Sequence, residues 1–185
     1  NFKMPQMWRS SLALDYNTPD QWRFTVEGIY TKTIYDLLFQ QVNLVDNPVY
    51  YEAYDKQHQQ PIFSGSKINS LYTNAYQLSN TTKGYRYSIT GQVSKRFRFG
   101  LNASAAYTYG QAKDITNGIR NSMESNWQLN QALNPNNPQL AYSNFDVRHR
   151  IVVTANYKVD WGKKGKYISS FNVFFNTSSG VPYTY

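Results

Sequence analysis

Apolar and polar residues alternate one by one in several stretches of this chain. The clearest stretch reads Trp-Arg-Phe-Thr-Val-Glu-Gly-Ile-Tyr from Trp22 to Tyr30, with an aromatic ring at each end of its apolar face. A period of two over about ten residues is typical of a β-strand with one polar and one apolar side. Rings that bracket an apolar band are what a strand needs to cross a bilayer from interface to interface. The pattern therefore predicts a membrane-spanning strand.

The same alternation recurs along the chain and predicts six strands joined by links of alternating length. The predicted strands cover about residues 7–16, 21–35, 74–95, 100–112, 146–160 and 166–178, and the two long links cover about 36–73 and 113–144. Short links make neighbouring strands antiparallel. Outer-membrane barrels place tight turns on the periplasmic side and long loops outside. We therefore expect an all-β, antiparallel up-and-down transmembrane β-barrel segment with two long extracellular loops.

The length of the strands favours a membrane wall over a soluble β-sandwich. Eight residues separate Trp22 from Tyr30, which at about 3.3 Å per residue and a tilt near 40° spans roughly 20 Å, close to the lipid-facing band of about 25 Å. Strands of ordinary globular domains have about five or six residues. A sandwich would also need bulk on the apolar face, where this chain has small residues: Gly28, Gly91, Ala103 and Ala105. The alternative is a soluble, aromatic-rich β-sandwich binding module.

Composition agrees with the membrane interpretation. Only 41% of the 185 residues are hydrophobic, whereas 17% are aromatic, with 17 Tyr and 10 Phe. Barrel walls carry amphipathic rings at both interfaces and polar residues on the inner face. The aromatics that we predict at the membrane interfaces are Trp8, Tyr16, Trp22, Tyr30, Tyr107, Tyr157, Trp161 and Tyr167.

Several classes of function are excluded or disfavoured by what the sequence contains. No apolar run approaches the roughly 18 to 20 residues of a transmembrane helix. The chain has no cysteine and two distant histidines, so we expect no disulfide, metal site or cofactor. The net charge of +8 is spread along the chain, which argues against nucleic-acid binding. We also expect no enzyme activity, because alternation sends Asp146 and His149 to opposite faces, with His149 hydrogen-bonding at the interface.

The chain is expected to be an interior part of a larger wall. It opens Asn-Phe-Lys-Met, without a basic and apolar targeting segment. Six strands do not close a bilayer barrel, since the smallest such barrels have about eight. Either the missing barrel strands lie elsewhere in the protein, which we favour, or several chains share one barrel.

Four segments carry a family resemblance. They are Asn-Thr-Thr-Lys-Gly-Tyr at 80–85, Ala-Tyr-Thr-Tyr-Gly-Gln-Ala-Lys-Asp at 106–114, Tyr-Ser-Asn-Phe-Asp-Val-Arg-His-Arg-Ile at 142–151 and Ser-Gly-Val-Pro-Tyr at 179–183. Together they resemble TonB-dependent outer-membrane receptors of the Oar-like kind found in Bacteroidota. The Asp-x-Arg-His-Arg stretch that opens a strand is the most specific of these motifs.

This resemblance implies a barrel of about 22 strands in the outer membrane of a Gram-negative bacterium. It also implies an N-terminal plug domain inside the barrel and import of a substrate with energy passed through the TonB system. Partners would be the outer-membrane lipid, the protein's own plug and missing strands, and a possible surface lipoprotein. An Oar-like barrel serving adhesion or export is the second alternative.

Charged residues on the predicted polar face would line the barrel lumen. They are Arg23, Glu27, Arg86, Asp146, Arg148, Arg150 and Lys158. They are candidates for contact with a substrate or the plug, or else they pair with the plug and neighbouring strands, which we favour. The spacing of Asp146, Arg148 and Arg150 at every second residue predicts one network on this face.

The long loops carry the candidate extracellular ligand contacts Tyr50, Tyr51, Tyr54 and Trp127. Such rings stack on sugars or peptides, and they equally well pack the loops. Ile119, Met123 and Trp127 recur at helical spacing, which predicts either a short helix or an irregular loop. Basic residues at two short turns face either lipid headgroups or solvent: Lys95, Arg96, Arg98, Lys163, Lys164 and Lys166.

Overall fold

The computed structural model describes residues 2–45, 47–51, 60–116, 118–161 and 166–183. Within these ranges the chain forms ten β-strands and one short α-helix. The elements are β1 (Gln6–Asn17), β2 (Trp22–Gln41), β3 (Val49–Tyr51), β4 (Gln60–Ile62), β5 (Tyr76–Thr81), β6 (Tyr85–Arg96), β7 (Leu101–Asp114), α1 (Met123–Gln128), β8 (Ala141–Tyr142), β9 (His149–Trp161) and β10 (Tyr167–Ser178).

One antiparallel sheet contains the six long strands in the order β1-β2-β6-β7-β9-β10. Each of these strands pairs with the next one along the meander, while β5 pairs with the far end of β2 and β8 with the far end of β7. The strands β3 and β4 form a separate hairpin. The predicted all-β, up-and-down antiparallel class is therefore confirmed. We call the two ends of the sheet the turn end and the loop end.

A β-bulge explains why the alternation breaks near residue 35. Met7 pairs with Thr33, but the preceding Gln6 pairs with Tyr35, so β2 carries one extra residue at Ile34. A bulge of this kind reverses which side chains face each side of the sheet. The strand itself continues to Gln41, six residues beyond its predicted end at 35, because its last residues pair with β5. Residues 36–41 thus belong to β2, not to the predicted loop.

The predicted strand 74–95 consists of two strands, β5 and β6, separated at residues 82–84. Gly84 has a φ of +135°, and a Cβ there would lie 2.6 Å from the Thr33 hydroxyl. The Thr33 amide donates to the Gly84 carbonyl at 3.2 Å. This close approach requires glycine and redirects the chain, so that β5 and β6 pair with different parts of β2.

The register joins side chains of one kind across the whole sheet. Direct neighbours form one apolar row from β1 to β10: Tyr16, Phe24, Val93, Ala105, Val153 and Phe175. The residues one position away form a row of largely polar character on the opposite face: Asp15, Thr25, Gln92, Ala106, Val152 and Asn176. The two faces that alternation predicts for single strands are therefore continuous over six strands.

The apolar face is not covered by any described part of the chain. Leu14 is 68% exposed and Val173 62% exposed, although both lie in the middle of long strands. A β-sandwich would bury such side chains against a second sheet. The buried apolar side chains lie instead at the loop end, where Phe39, Leu44, Ala112 and Ile115 pack. No helix among the described residues is long and apolar enough to cross a membrane.

Two short turns at the turn end share one hydrogen-bond pattern. The Thr18 amide donates to the Trp22 carbonyl (2.9 Å) and the Gln21 amide to the Thr18 carbonyl (3.1 Å). The turn from Phe97 to Gly100 repeats this pattern. The last turn residue has a positive φ in both, +63° for Gln21 and +93° for Gly100. The third short turn, 162–165, lies outside the described residues.

Gly100 also sits against a neighbouring strand. Its carbonyl accepts from the Lys158 amide at 3.1 Å, and a Cβ at position 100 would lie 2.4 Å from the Lys158 carbonyl oxygen. Glycine is therefore required here both by the backbone angle and by the contact with β9.

Candidate functional site

Hydroxyl and amide side chains on the polar face hydrogen-bond across neighbouring strands. The Thr90 and Thr108 hydroxyls are 2.9 Å apart, and the Ser104 and Thr154 hydroxyls are 2.7 Å apart. Asn156 donates to Asn172 in the same manner. Such cross-strand pairs stabilise a sheet and orient its polar groups. The polar face is thus an ordered surface of uncharged donors and acceptors between charged residues.

Three of the predicted lumen residues pair with neighbours in the sheet. Arg23 lies 3.4 Å from the Asp15 carboxylate, and Lys158 lies 3.9 Å from Asp160. The Arg150 guanidinium donates to the Asn176 amide oxygen at 3.3 Å. Exposed pairs of this kind contribute little to stability, because water and salt screen the charges. Their effect is to orient the charges on the face that alternation assigns to them.

Glu27 and Arg86 differ from these three because neither forms an ion pair with a described residue. Glu27 pairs in register with Thr90, and Arg86 pairs with Thr31, so both lie on the polar face. Arg86 lines a cleft of about 170 Å³ that also contains Asp114. These two charges are available to a group that lies against the polar face.

Asp146 and Arg148 form an ion pair at the loop end. Asp146 is only 3% exposed, and its carboxylate accepts from the Ala112 amide at 2.6 Å and from the Arg148 guanidinium at 2.8 Å. The hydrogen bonds from Arg148 to this carboxylate raise the pKa of the guanidinium above its ordinary value. The guanidinium carbon lies 4.6 Å from the centre of the Tyr142 ring.

These contacts correct two predictions for Arg148. Tyr142 pairs with Lys113, which belongs to the apolar side of β7, so Arg148 lies on that side and not on the polar face with Arg150. Arg150 contacts Asn176, so it does not join Asp146 and Arg148 in one network. The reason is that β9 begins at His149, and Asp146 occupies the Ala112 amide that a regular strand would use.

Aromatic side chains on the apolar face gather near the two ends of the strands. At the turn end they are Tyr16, Trp22, Tyr157, Trp161 and Tyr167, and at the loop end Trp8, Tyr30 and Tyr107. Trp8 and Tyr30 make an edge contact at 6.2 Å, and Trp161 and Tyr167 lie 5.6 Å apart. Such pairs add about 0.5–1.5 kcal/mol beyond burial. The rings therefore form one aromatic belt at each end of the sheet.

The belt at the loop end includes rings that our sequence analysis did not assign to an interface. Ring centres lie 6.5 Å apart for Tyr85 and Tyr87, 6.3 Å for Tyr87 and Tyr109, and 5.4 Å for Tyr109 and His149. His149 Nδ1 is hydrogen-bonded to the Tyr107 hydroxyl at 2.7 Å. The alternation in β6 and β7 carries the signal for these tyrosines, since each lies on the same side as Tyr107.

Trp127 packs inside the loop structure. Its indole donates to the Asn136 amide oxygen at 2.7 Å, and its ring lies 6.0 Å from the Tyr76 ring. The Asn136 side chain also accepts from the Gln41 amide (2.8 Å) and donates to the Gln41 carbonyl (3.1 Å). Burial, and next the Glu124 carboxylate, raise the pKa of Tyr76 above its ordinary value. These contacts join the second long loop to the end of β2.

The other candidate ligand contacts in the loops are three tyrosines, of which only one side chain is described. Tyr50 is exposed on the β3–β4 hairpin, while Tyr54 and the side chain of Tyr51 lie outside the described residues. The helical spacing around Met123 corresponds to α1, which is capped by a reciprocal hydrogen bond between Ser122 and Ser125. The described residues contain no group of three or more His, Cys, Asp or Glu side chains arranged to hold a metal ion.

Comparison with known proteins explains the exposed apolar face and the two aromatic belts. The family model described as "Outer membrane beta barrel domain" matches residues 1–180. The chain belongs to this family. Neither a curated protein nor a solved structure matches it. Membership places this barrel domain in the outer membrane of Gram-negative bacteria, so its apolar face contacts the membrane lipid and its polar face is directed to the barrel interior.

Proposed function

We propose that this chain forms part of the barrel wall and the extracellular loops of a TonB-dependent, Oar-like transporter of Bacteroidota that takes up a substrate. The observation that carries the proposal is that Glu27 and Arg86, two charged residues on the polar face, form no ion pair with a described residue. Free charges in a barrel interior are retained where another group neutralises them. The resemblance of residues 80–85, 106–114, 142–151 and 179–183 to such receptors supports the same function.

The proposal assigns a task to each surface. The apolar face holds the wall in the lipid, and the polar face contacts the plug domain or a passing substrate. The loops shape the outer mouth, where Tyr50 is exposed. The remaining strands, the plug and the TonB contact belong to other parts of the protein. Energy from TonB would move the plug and change what the polar face touches.

Cysteine reporters test this proposal sharply, because the chain contains no native cysteine. Ser88→Cys places a thiol on the polar face, two residues from Arg86, and the Ser88 side chain makes no hydrogen bond to a described residue. The matched control Val26→Cys places a thiol on the apolar face. We expect a membrane-impermeant maleimide to label Ser88→Cys in whole cells and to leave Val26→Cys unlabelled.

Dependence on TonB separates transport from the alternatives. In a TonB-dependent transporter, plug movement exposes the polar face, so labelling of Ser88→Cys is expected to fall about threefold or more when TonB is deleted. A barrel that serves adhesion or export would label equally with and without TonB. That result would contradict the transport proposal and leave the outer-membrane assignment intact.

We propose that a surface lipoprotein binds the outer face of the barrel. The observation that supports this partner is an apolar turn held in place by hydrogen bonds. Asn43 is buried and its amide donates to the Asn69 carbonyl (3.1 Å) and to the Tyr72 carbonyl (2.9 Å). This turn presents Leu71, which is 86% exposed. A photo-crosslinker at Leu71 is expected to capture a palmitate-labelled protein, whereas one at the adjacent Ser70 is not. Equal capture at both positions would contradict the assignment.

A further inference from the structure

One row of directly paired residues at the loop end alternates rings and cations across five strands. From β1 to β8 it reads Trp8, Lys32, Tyr85, Lys113 and Tyr142. Every member lies on the lipid-facing side, because the row runs parallel to the apolar rows of the same strands. This row lies beyond the last apolar positions, at the border between lipid and loops.

The charges of the row converge on a small area. The Lys113 ammonium lies 4.7 Å from the centre of the Tyr142 ring, and the Arg148 guanidinium lies 4.6 Å from the same centre. Lys32 and Lys113 stand on strands that flank β6, so their backbones are about 10 Å apart, a gap that two lysine side chains reach across. Three positive charges thus border one patch of membrane surface.

Carboxylates neutralise only one of these charges. Asp146 pairs with Arg148, whereas Lys32 and Lys113 form no ion pair with a described residue. Asp114 follows Lys113 in β7 but lies on the opposite side of the strand. Both lysines are partly buried, and the Lys113 ammonium lies over the Tyr142 ring. The patch therefore keeps two ammonium groups that have no ion-pair partner among the described residues.

The location of the patch identifies its ligand. The long loops of an outer-membrane barrel face the cell exterior, so the patch lies at the headgroup level of the outer leaflet. Cations beside rings at this level bind anionic headgroups. We propose that Lys32, Lys113 and Arg148 form a site for the phosphate groups of a phosphorylated glycolipid in the outer leaflet, with the rings of Tyr85 and Tyr142 beside its sugar moiety.

The test measures lipid retained by the complete protein. The double variant Lys32→Gln and Lys113→Gln removes both free charges without adding bulk. Lys95→Gln is the matched control, because Lys95 also lies on the apolar side, 4.3 Å from the Trp22 ring, but at the turn end. The double exchange Lys32→Arg and Lys113→Arg keeps the charge. Each protein is extracted in mild detergent and captured on phosphatidylethanolamine vesicles that contain lipid A or enzymatically dephosphorylated lipid A.

A lysine near a charged membrane surface is worth about fivefold in affinity, so the double glutamine variant is expected to bind lipid A vesicles about 30-fold more weakly. The control and the arginine variant should bind lipid A as the unaltered protein does, and all variants should bind dephosphorylated lipid A equally weakly. An equal loss in Lys95→Gln, or no loss in the double glutamine variant, would overturn the proposal. The proposal would also be overturned if inorganic phosphate protected the unaltered protein against thermal unfolding as well as lipid A does. The site would then not require a lipid.

Discussion

An arginine placed in the middle of the apolar face tests whether this face contacts hydrocarbon. Val26 is 53% exposed and lies between its cross-strand neighbours Leu14 and Gly91. Trp22 and Tyr30 lie four residues away on either side, which corresponds to about 10 Å of membrane depth in each direction. Val26 therefore lies close to the bilayer midplane, where a new charge is most costly.

The expected cost of Val26→Arg follows from this depth. Arginine on the lipid face at the midplane destabilises a barrel by about 2–4 kcal/mol, and the cost falls to about 0–1 kcal/mol near the interfaces. The chain follows the same rule, since the lysines on its apolar side, Lys32, Lys95 and Lys113, lie beside or beyond the aromatic belts and not between them. Val26→Arg should therefore lower the folded-to-unfolded ratio about 30- to 1,000-fold.

Gln92→Arg is the matched control, because Gln92 is adjacent to Gly91 but lies on the polar face. Its side chain makes no hydrogen bond to a described residue, so we expect a change within about 0.5 kcal/mol. The assay is urea unfolding of the complete protein in lipid vesicles, followed by tryptophan fluorescence and by the mobility of unheated protein in gels. Equal destabilisation by the two variants, or a larger loss in Gln92→Arg, would refute the assignment of the faces.

Three further predictions concern the turns and loops. Gly100→Ala should destabilise the protein by at least about 1–2 kcal/mol in urea unfolding, while Gln21→Ala, at a non-glycine position with the same backbone sign, should change it by less than about 0.5 kcal/mol. Asn136→Ala removes three side-chain hydrogen bonds and should lower the local opening free energy of the loops by about 2–3 kcal/mol, seen as faster proteolysis, whereas Asn137→Ala should not. The raised pKa of Tyr76 means that its contribution to loop stability is complete below pH 10 and is lost as pH rises above 10; hydrogen exchange should show this loss, and Tyr76→Phe should abolish it.

The alternation of apolar and polar residues was sufficient to predict the long strands and the two faces of the sheet. Side chains alternate along any extended chain, so the apolar residues between Trp22 and Tyr30 lie on one side whatever the strand pairs with. The same logic places Arg23, Glu27, Arg86, Arg150 and Lys158 on the polar face, where the register has them. Aromatic belts follow too, because rings at strand ends reflect a local preference for the interface.

What the sequence by itself determined is therefore the class of the protein, the faces of its wall and the level of its rings. Tertiary structure decided the rest, because the deciding contacts join residues far apart along the chain. The bulge at Ile34 is defined by the register with β1. Arg148 lies on the lipid side because the Asp146 carboxylate accepts a hydrogen bond from the Ala112 amide and so interrupts the regular strand. Asn136 likewise joins the end of β2 to the second long loop by hydrogen bonds with Gln41 and Trp127, although the loop sequence shows no regular alternation of apolar and polar residues. Alternation carries no information about such partners, since it depends only on the nearest residues in the chain.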